Sequence, residues 1–158
     1  MKRSLVLLLA LGACVAPPKP APPPVVVAPP PPPPVLPPPP PVPWEDRART
    51  PGNWTLAGDS AMFAVAGGAP IVTLRCAAPD IMLSYPAAMA GTLAVSTTTL
   101  SRTLQLGSGG VARLPANDPL LDAMIYSRGR FMLSVTGRPD LIIPPWPEIA
   151  RVVEDCRR

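Results

Sequence analysis

The sequence has no histidine, and of its 14 basic residues only Lys2 and Lys19 are lysines. A serine or cysteine nucleophile is ordinarily activated by one of those two side chains, so hydrolases of that kind lack their base here. No G-x-S-x-G motif occurs. Gly107-Ser108-Gly109-Gly110 lacks the Gly-Lys-Ser/Thr that would cradle a phosphate, and reads as a hairpin turn. Cysteine is also scarce, at three residues, and without histidine these do not complete a metal-ligand set. Paired carboxylates for glycoside chemistry remain open among Asp118, Asp122, Glu148, Glu154 and Asp155. Each has a structural role to weigh against that one: Asp118 as a helix cap, Glu148 at a helix N-terminus, Glu154 or Asp155 paired with Arg151. The inventory points to a protein that is not an enzyme and that takes no cofactor or metal.

Charge of one sign is missing as well. Setting aside Lys2, Arg3 and Lys19 lowers the net charge from +4 to +1. A nucleic-acid binder shows a basic patch or stripe, so no nucleic-acid partner is expected. From Trp44 onward every basic residue is arginine.

Long apolar runs are absent too. Leu5 to Leu11 follows the positive Lys2-Arg3 and is far shorter than the ~20 residues that span a bilayer. It matches the apolar core of a secretory signal. Leu11-Gly12-Ala13-Cys14 resembles a bacterial lipobox. The resemblance implies cleavage before Cys14, a diacylglyceryl thioether on its sulfur and acylation of the new amine. Two or three chains give the stable anchoring that one does not. The other reading is ordinary signal cleavage near Ala16. Val15 after the cysteine, in place of Asp, points by analogy with lipoprotein sorting to the periplasmic face of the outer membrane.

What the sequence has in excess is proline. Val15 to Pro43 holds 18 of the 28 prolines and a single charge, Lys19. Proline fixes φ and removes a donor, so helix and sheet are both blocked. The segment reads as a polyproline II spacer whose 29 residues, at about 3.1 Å each, reach roughly 90 Å. A proline ligand for an aromatic groove is the competing reading. Residues 1–13 are thus expected to be a signal peptide, 14–43 a lipidated linker, and 44–158 a periplasmic domain.

That domain of 115 residues is large enough for one core. Short alternating segments predict strands at Asn53–Leu56, Ser60–Val65, Ile71–Cys76, Ile81–Ser84, Thr92–Thr98, Leu100–Leu106 and Val111–Leu114, with Gly-, Pro- and Asp-containing turns between them. Asp118-Pro119 opens a helix with the stripe Leu120, Leu121, Met124 and Ile125, and Gly129 is expected as its left-handed C-cap. Arg130–Thr136 and Leu141–Ile143 read as strands, and Pro147 opens a closing helix. Val72, Leu74 and Cys76 share one strand face. Ile149, Val152, Val153 and Cys156 share one helix face. In an oxidising compartment Cys76 and Cys156 therefore read as a disulfide. The predicted fold class is α+β: a small β-rich sandwich or barrel-like domain with two short helices and one disulfide. Trp146 is expected to plug a chain corner, and Trp44 and Trp54 to seal the start of the domain.

The segments TLRC, DPLLDAMIYSRGRF and LIIPPWPEIARVVEDCR resemble uncharacterised alphaproteobacterial envelope lipoproteins, a group without an assigned activity. The resemblance implies one scaffold shared by the SRGRF turn and the cysteine pair. Ser127 to Phe131 is also similar, with a different order and spacing, to the SGxRY-type loop of periplasmic lysozyme-inhibitor lipoproteins. Arg128 and Arg130 are the candidate partner surface, because guanidinium forks bind carboxylate and phosphate and arginine is favoured at interface hot spots. Their structural alternatives are a helix C-terminus for Arg128 and an acidic neighbour for Arg130. The expected function is an accessory or structural envelope module, held to the membrane by its lipid and binding an envelope protein or peptidoglycan. The alternatives are an inhibitor of a cell-wall-degrading enzyme and a carboxylate-dependent wall hydrolase.

Overall fold

Strict alternation along NWTLA, SAMFA and VTLRCA puts Trp54, Ala61, Phe63, Val72 and Leu74 on a single sheet face, where all five are buried. In the computed structural model, which describes residues 40–158 together with Lys19, these segments open a five-stranded antiparallel sheet. Its strands are β1 (Asn53–Ala57), β2 (Ser60–Ala64), β3 (Val72–Ala77), β4 (Asp80–Ser84) and β7 (Val111–Pro115), in the order β1-β2-β3-β4-β7. A second sheet has the order β6-β5-β8-β9, from β5 (Gly91–Ser96), β6 (Ser101–Leu106), β8 (Phe131–Ser134) and β9 (Leu141–Ile143). It turns Leu93, Val95, Leu104, Phe131 and Leu133 into the same core. Pro39–Arg158 forms one compact unit.

Two helices complete the core. The first, α1 (Pro119–Ile125), begins as the sequence predicts, with the Asp118 carboxylate accepting from the Leu120 amide at 2.8 Å and proline in the first turn. Leu120, Leu121 and Met124 are buried. The helix ends at Ile125 with Tyr126 as cap, so the expected C-cap role of Gly129 is not the one it plays. With φ at +72°, Gly129 instead makes the turn into β8. The second helix, α2 (Pro147–Cys156), buries Ile149, Val152 and Val153 against the first sheet, above all on β3. Cys156 forms the disulfide with Cys76, across 80 residues of sequence.

Two connections hold the sheets and helices in register. The Trp54 indole is buried, donates to the Pro144 carbonyl at 2.8 Å and packs tilted on Phe63 with ring centroids 5.4 Å apart. It thereby ties the first strand to the approach to α2. Trp44 lies half-buried in a short 3-10 turn at Trp44–Asp46, and Trp146 packs half-buried against the core. The turn between β6 and β7 lies against the loop after β4: the Tyr85 amide donates to the Gly110 carbonyl at 2.8 Å, and the Gly110 amide donates to Met89. A β-carbon on Gly110, at φ +71°, would stand 2.1 Å from the Tyr85 carbonyl oxygen.

Predicted and observed strands agree in number and place, with shifted ends. The strand expected to run to Thr98 stops at Ser96, because Thr97 turns the chain: its hydroxyl accepts from the Leu100 amide at 2.9 Å and donates to the Leu100 carbonyl at 2.7 Å. The strand expected to run from Arg130 to Thr136 is confined to Phe131–Ser134.

Two stability predictions come from this packing. Gly110→Ala combines a left-handed backbone with a backbone clash, and is expected to cost at least about 2 kcal/mol. Gly109→Ala, also at positive φ but with open space around its α-carbon, should cost less. Equal urea midpoints for the two variants would show that the contact with Tyr85 is not made. For the disulfide, the chain-entropy model gives about 4.5 kcal/mol for a loop of this length. Cys156→Ser should therefore lower the urea midpoint sharply, and adding reductant to the native protein should reproduce that shift.

Candidate functional site

The segment before the first strand builds one side of the candidate surface. Thr50 lies along the outer edge of β9: its amide donates to the Ile142 carbonyl at 2.8 Å, and its hydroxyl accepts from the Ile142 amide at 2.9 Å. Three residues earlier, Arg47 pairs with Asp140 at 2.6 Å. These bonds satisfy β9 backbone groups on the side away from β8 and fix residues 47–50 against the second sheet.

The turn at residues 127–130 forms the other side. Ser127 is only 4% exposed; its hydroxyl donates to the Arg130 carbonyl and accepts from the Thr98 amide at 3.2 Å. The Arg128 amide in turn donates to the Thr98 hydroxyl at 3.2 Å. The turn is thus clamped to the β5–β6 connection, and its shape does not depend on any charged side chain.

The two arginines of this turn have different roles. Arg130 is half-buried and donates through Nη1 to the Arg47 carbonyl, so it fastens the N-terminal segment to the turn. Its expected acidic neighbour is replaced by a backbone oxygen. Arg128 is exposed and lies beyond the last turn of α1, which contains no basic residue, so its expected helix-terminus role is not realised. A third guanidinium joins them: Arg49 Nη2 lies 3.7 Å from where a β-carbon on Gly129 would stand. Arg49 and Arg128 are both exposed and have no ion-pair partner among the described residues. Tyr126, two residues before Arg128, is 74% exposed.

The sequence pointed to Arg128 and Arg130 through their adjacency. It could not point to Arg49, which is about 80 residues away and reaches Gly129 only because Thr50 is bonded to β9.

The carboxylates considered for glycoside chemistry are dispersed over structural contacts. Asp118 caps α1 and also meets Arg102 at 2.8 Å, while Asp122 meets Arg157 at 2.9 Å. Asp155 lies 3.9 Å from Arg151 and 3.3 Å from Arg158. Glu154 is exposed, and one oxygen of the half-buried Glu148 has no hydrogen-bond partner among the described residues. Two open concavities flank the disulfide. One, of 440 Å³, is bordered by Leu56, Asp59, Cys76 and Arg151. The other, of 570 Å³, is bordered by Asp80, Asn117, Cys156 and Arg157. Among the described residues no three metal-ligating side chains gather, and no helix is long and apolar enough to cross a membrane. Cys14, the lipobox and the proline run up to residue 39, Lys19 apart, lie outside the described residues.

No family model matches the chain, and no curated protein or solved structure matches it.

The division between the arginines is testable by stability. Arg130→Ala removes the bond to the Arg47 carbonyl and should cost about 1 kcal/mol. Arg49→Ala and Arg128→Ala should stay within about 0.5 kcal/mol of the native protein, as exposed substitutions do. Urea unfolding of the three variants decides it; an equal cost for Arg128→Ala and Arg130→Ala would mean that Arg128 also holds the scaffold.

Proposed function

We propose that the protein is a non-enzymatic, lipid-anchored lipoprotein of the bacterial envelope, whose periplasmic domain docks onto another envelope component through Arg49 and Arg128. The observation that carries the docking face is the approach of Arg49 Nη2 to within 3.7 Å of the β-carbon position at Gly129, next in sequence to the exposed Arg128, on a turn clamped by Ser127 and Thr98. The backbone of the turn is fixed before binding, so the ordering cost falls on the two exposed side chains, at about 0.5–1.5 kcal/mol each.

Other features support the remaining parts of the reading. Leu11-Gly12-Ala13-Cys14 supplies the anchor by its likeness to a lipobox, and Val15 favours the outer membrane. The Cys76–Cys156 disulfide fits an oxidising compartment such as the periplasm. Engagement of Asp118, Asp122 and Asp155 in ion pairs leaves few carboxylates free for acid–base work. The likeness of TLRC, DPLLDAMIYSRGRF and LIIPPWPEIARVVEDCR to segments of alphaproteobacterial envelope lipoproteins is in keeping with this reading.

Two experiments test this. Cys14→Ser should move the protein from the membrane fraction to the soluble fraction and abolish its labelling by a fatty-acid probe; unchanged partitioning would remove the anchor. Crosslinking of tagged full-length protein in the native host, with partners identified by mass spectrometry, should show a partner lost in Arg49→Glu/Arg128→Glu. That partner should be kept in Arg138→Glu, a charge reversal in the β8–β9 turn. Identical partners in all three would return Arg49 and Arg128 to the scaffold.

A further inference from the structure

The chemistry of the docking face narrows its ligand. Arg47 is neutralised by Asp140 and Arg130 is committed to a backbone carbonyl, so of the four arginines at this face Arg49 and Arg128 are left without an ion-pair partner among the described residues. Basic segments that hold proteins to anionic lipid contribute about 1 kcal/mol per Lys or Arg and use four to eight of them. Two arginines give roughly 2 kcal/mol by that measure, well short of what a lipid surface requires. Nor does a domain charge of +1 supply a long-range field for a polyanion. The surface is built for close contact with a few fixed anions.

Arginine, the basic residue of this domain, is the one whose planar fork matches a carboxylate with two parallel bonds. Tyr126 adds an exposed aromatic ring next in sequence to the clamped turn, and Tyr with Arg is the usual composition of a contact hot spot. Two forks and a ring suit a polymer that repeats carboxylates beside sugar rings. The linker, at roughly 90 Å if extended, is long enough to carry the domain beyond lipid headgroups.

We infer that Arg49 and Arg128 bind the free carboxylates of peptidoglycan, with Tyr126 against the adjoining glycan. This inference rests on the proposed docking face and names its ligand. Each contact is weak, and occupancy depends on salt, because both cations are solvent-exposed.

The test uses full-length protein in mild detergent, mixed with purified insoluble sacculi and sedimented. Native sacculi should pellet the protein, and Arg49→Gln/Arg128→Gln should reduce the pelleted fraction about tenfold or more, as loss of charge-assisted hydrogen bonds does. Sacculi whose carboxylates have been amidated should behave with the native protein as native sacculi do with the variant. Raising salt from 50 to about 300 mM should weaken binding. Equal pelleting by amidated and native sacculi overturns the carboxylate assignment. Capture of the unlipidated Cys14→Ser protein by phosphatidylglycerol vesicles, without its capture by sacculi, overturns it in favour of a lipid. If sacculi pellet nothing while the crosslinked partner still depends on Arg49 and Arg128, peptidoglycan is wrong and the docking face stands. If neither effect occurs, both fail. Circular dichroism of the variant separates loss of binding from loss of fold.

Discussion

The domain closes on the contact between α2 and the first sheet. Ile149, Val152 and Val153 are fully or almost fully buried, and the surface that covers them is the one formed by β1 to β4. A ten-residue helix has little stability of its own in water, so its apolar face must be held in place by tertiary contacts. Cys156 at its last turn and Cys76 at the end of β3 supply a covalent hold, and Trp54 fixes the segment leading into it through the Pro144 carbonyl. If α2 is released, Ile149, Val152 and Val153 and the residues of the first sheet that they cover are exposed to water.

In the absence of lysine and histidine, arginine performs several unlike tasks in the domain. Arg102 and Arg157 hold α1 at Asp118 and Asp122, and Arg157 also donates to the Ala116 carbonyl at 2.8 Å. Arg47 and Arg130 fasten the segment that leads into β1. A guanidinium offers five donors spread over a planar fork, so it reaches a carboxylate and a carbonyl that lie apart more readily than the compact ammonium does. An arginine at the surface of such a protein is therefore no indication of function until its partners have been traced. Arg128 and Arg130, two residues apart and alike in sequence, separate on that criterion: one is bonded to the backbone and the other faces solvent without a partner.

Local chemistry made much of the architecture legible. Period-two alternation identified the strands, Asp118-Pro119 marked the start of α1, and the matching faces of Cys76 and Cys156 anticipated their bond. The errors have local causes too. Thr97 ends β5 by bonding to Leu100, although its β-branched side chain favours a strand. Gly129 was assigned to the end of α1 because a glycine follows the apolar stripe, but the chain leaves the helix earlier and uses that glycine for its next turn. Ser127, which the sequence offers only as the first residue of the SRGRF turn, is the buried residue that pins it. Arg49 had no readable signal, since its place depends on a segment whose path is set by hydrogen bonds to β9.

Weak binding at the proposed face is compatible with the proposed anchor. A free domain with two exposed arginines would need a larger interface to remain bound, because association costs translational and rotational freedom. A lipid-tethered domain loses much of that freedom at the anchor, and the linker then sets the effective concentration of the site near its target. Linker length matters more than contact strength in that regime: a tether too short to reach the target gives no binding at any affinity, and one much longer dilutes the site. A proline-rich segment extends further per residue than a glycine–serine chain, and so meets the reach requirement with fewer residues. Shortening it should then weaken occupancy of the envelope target in the cell without changing the affinity of the soluble domain. Substitution at Arg49 and Arg128 should change both.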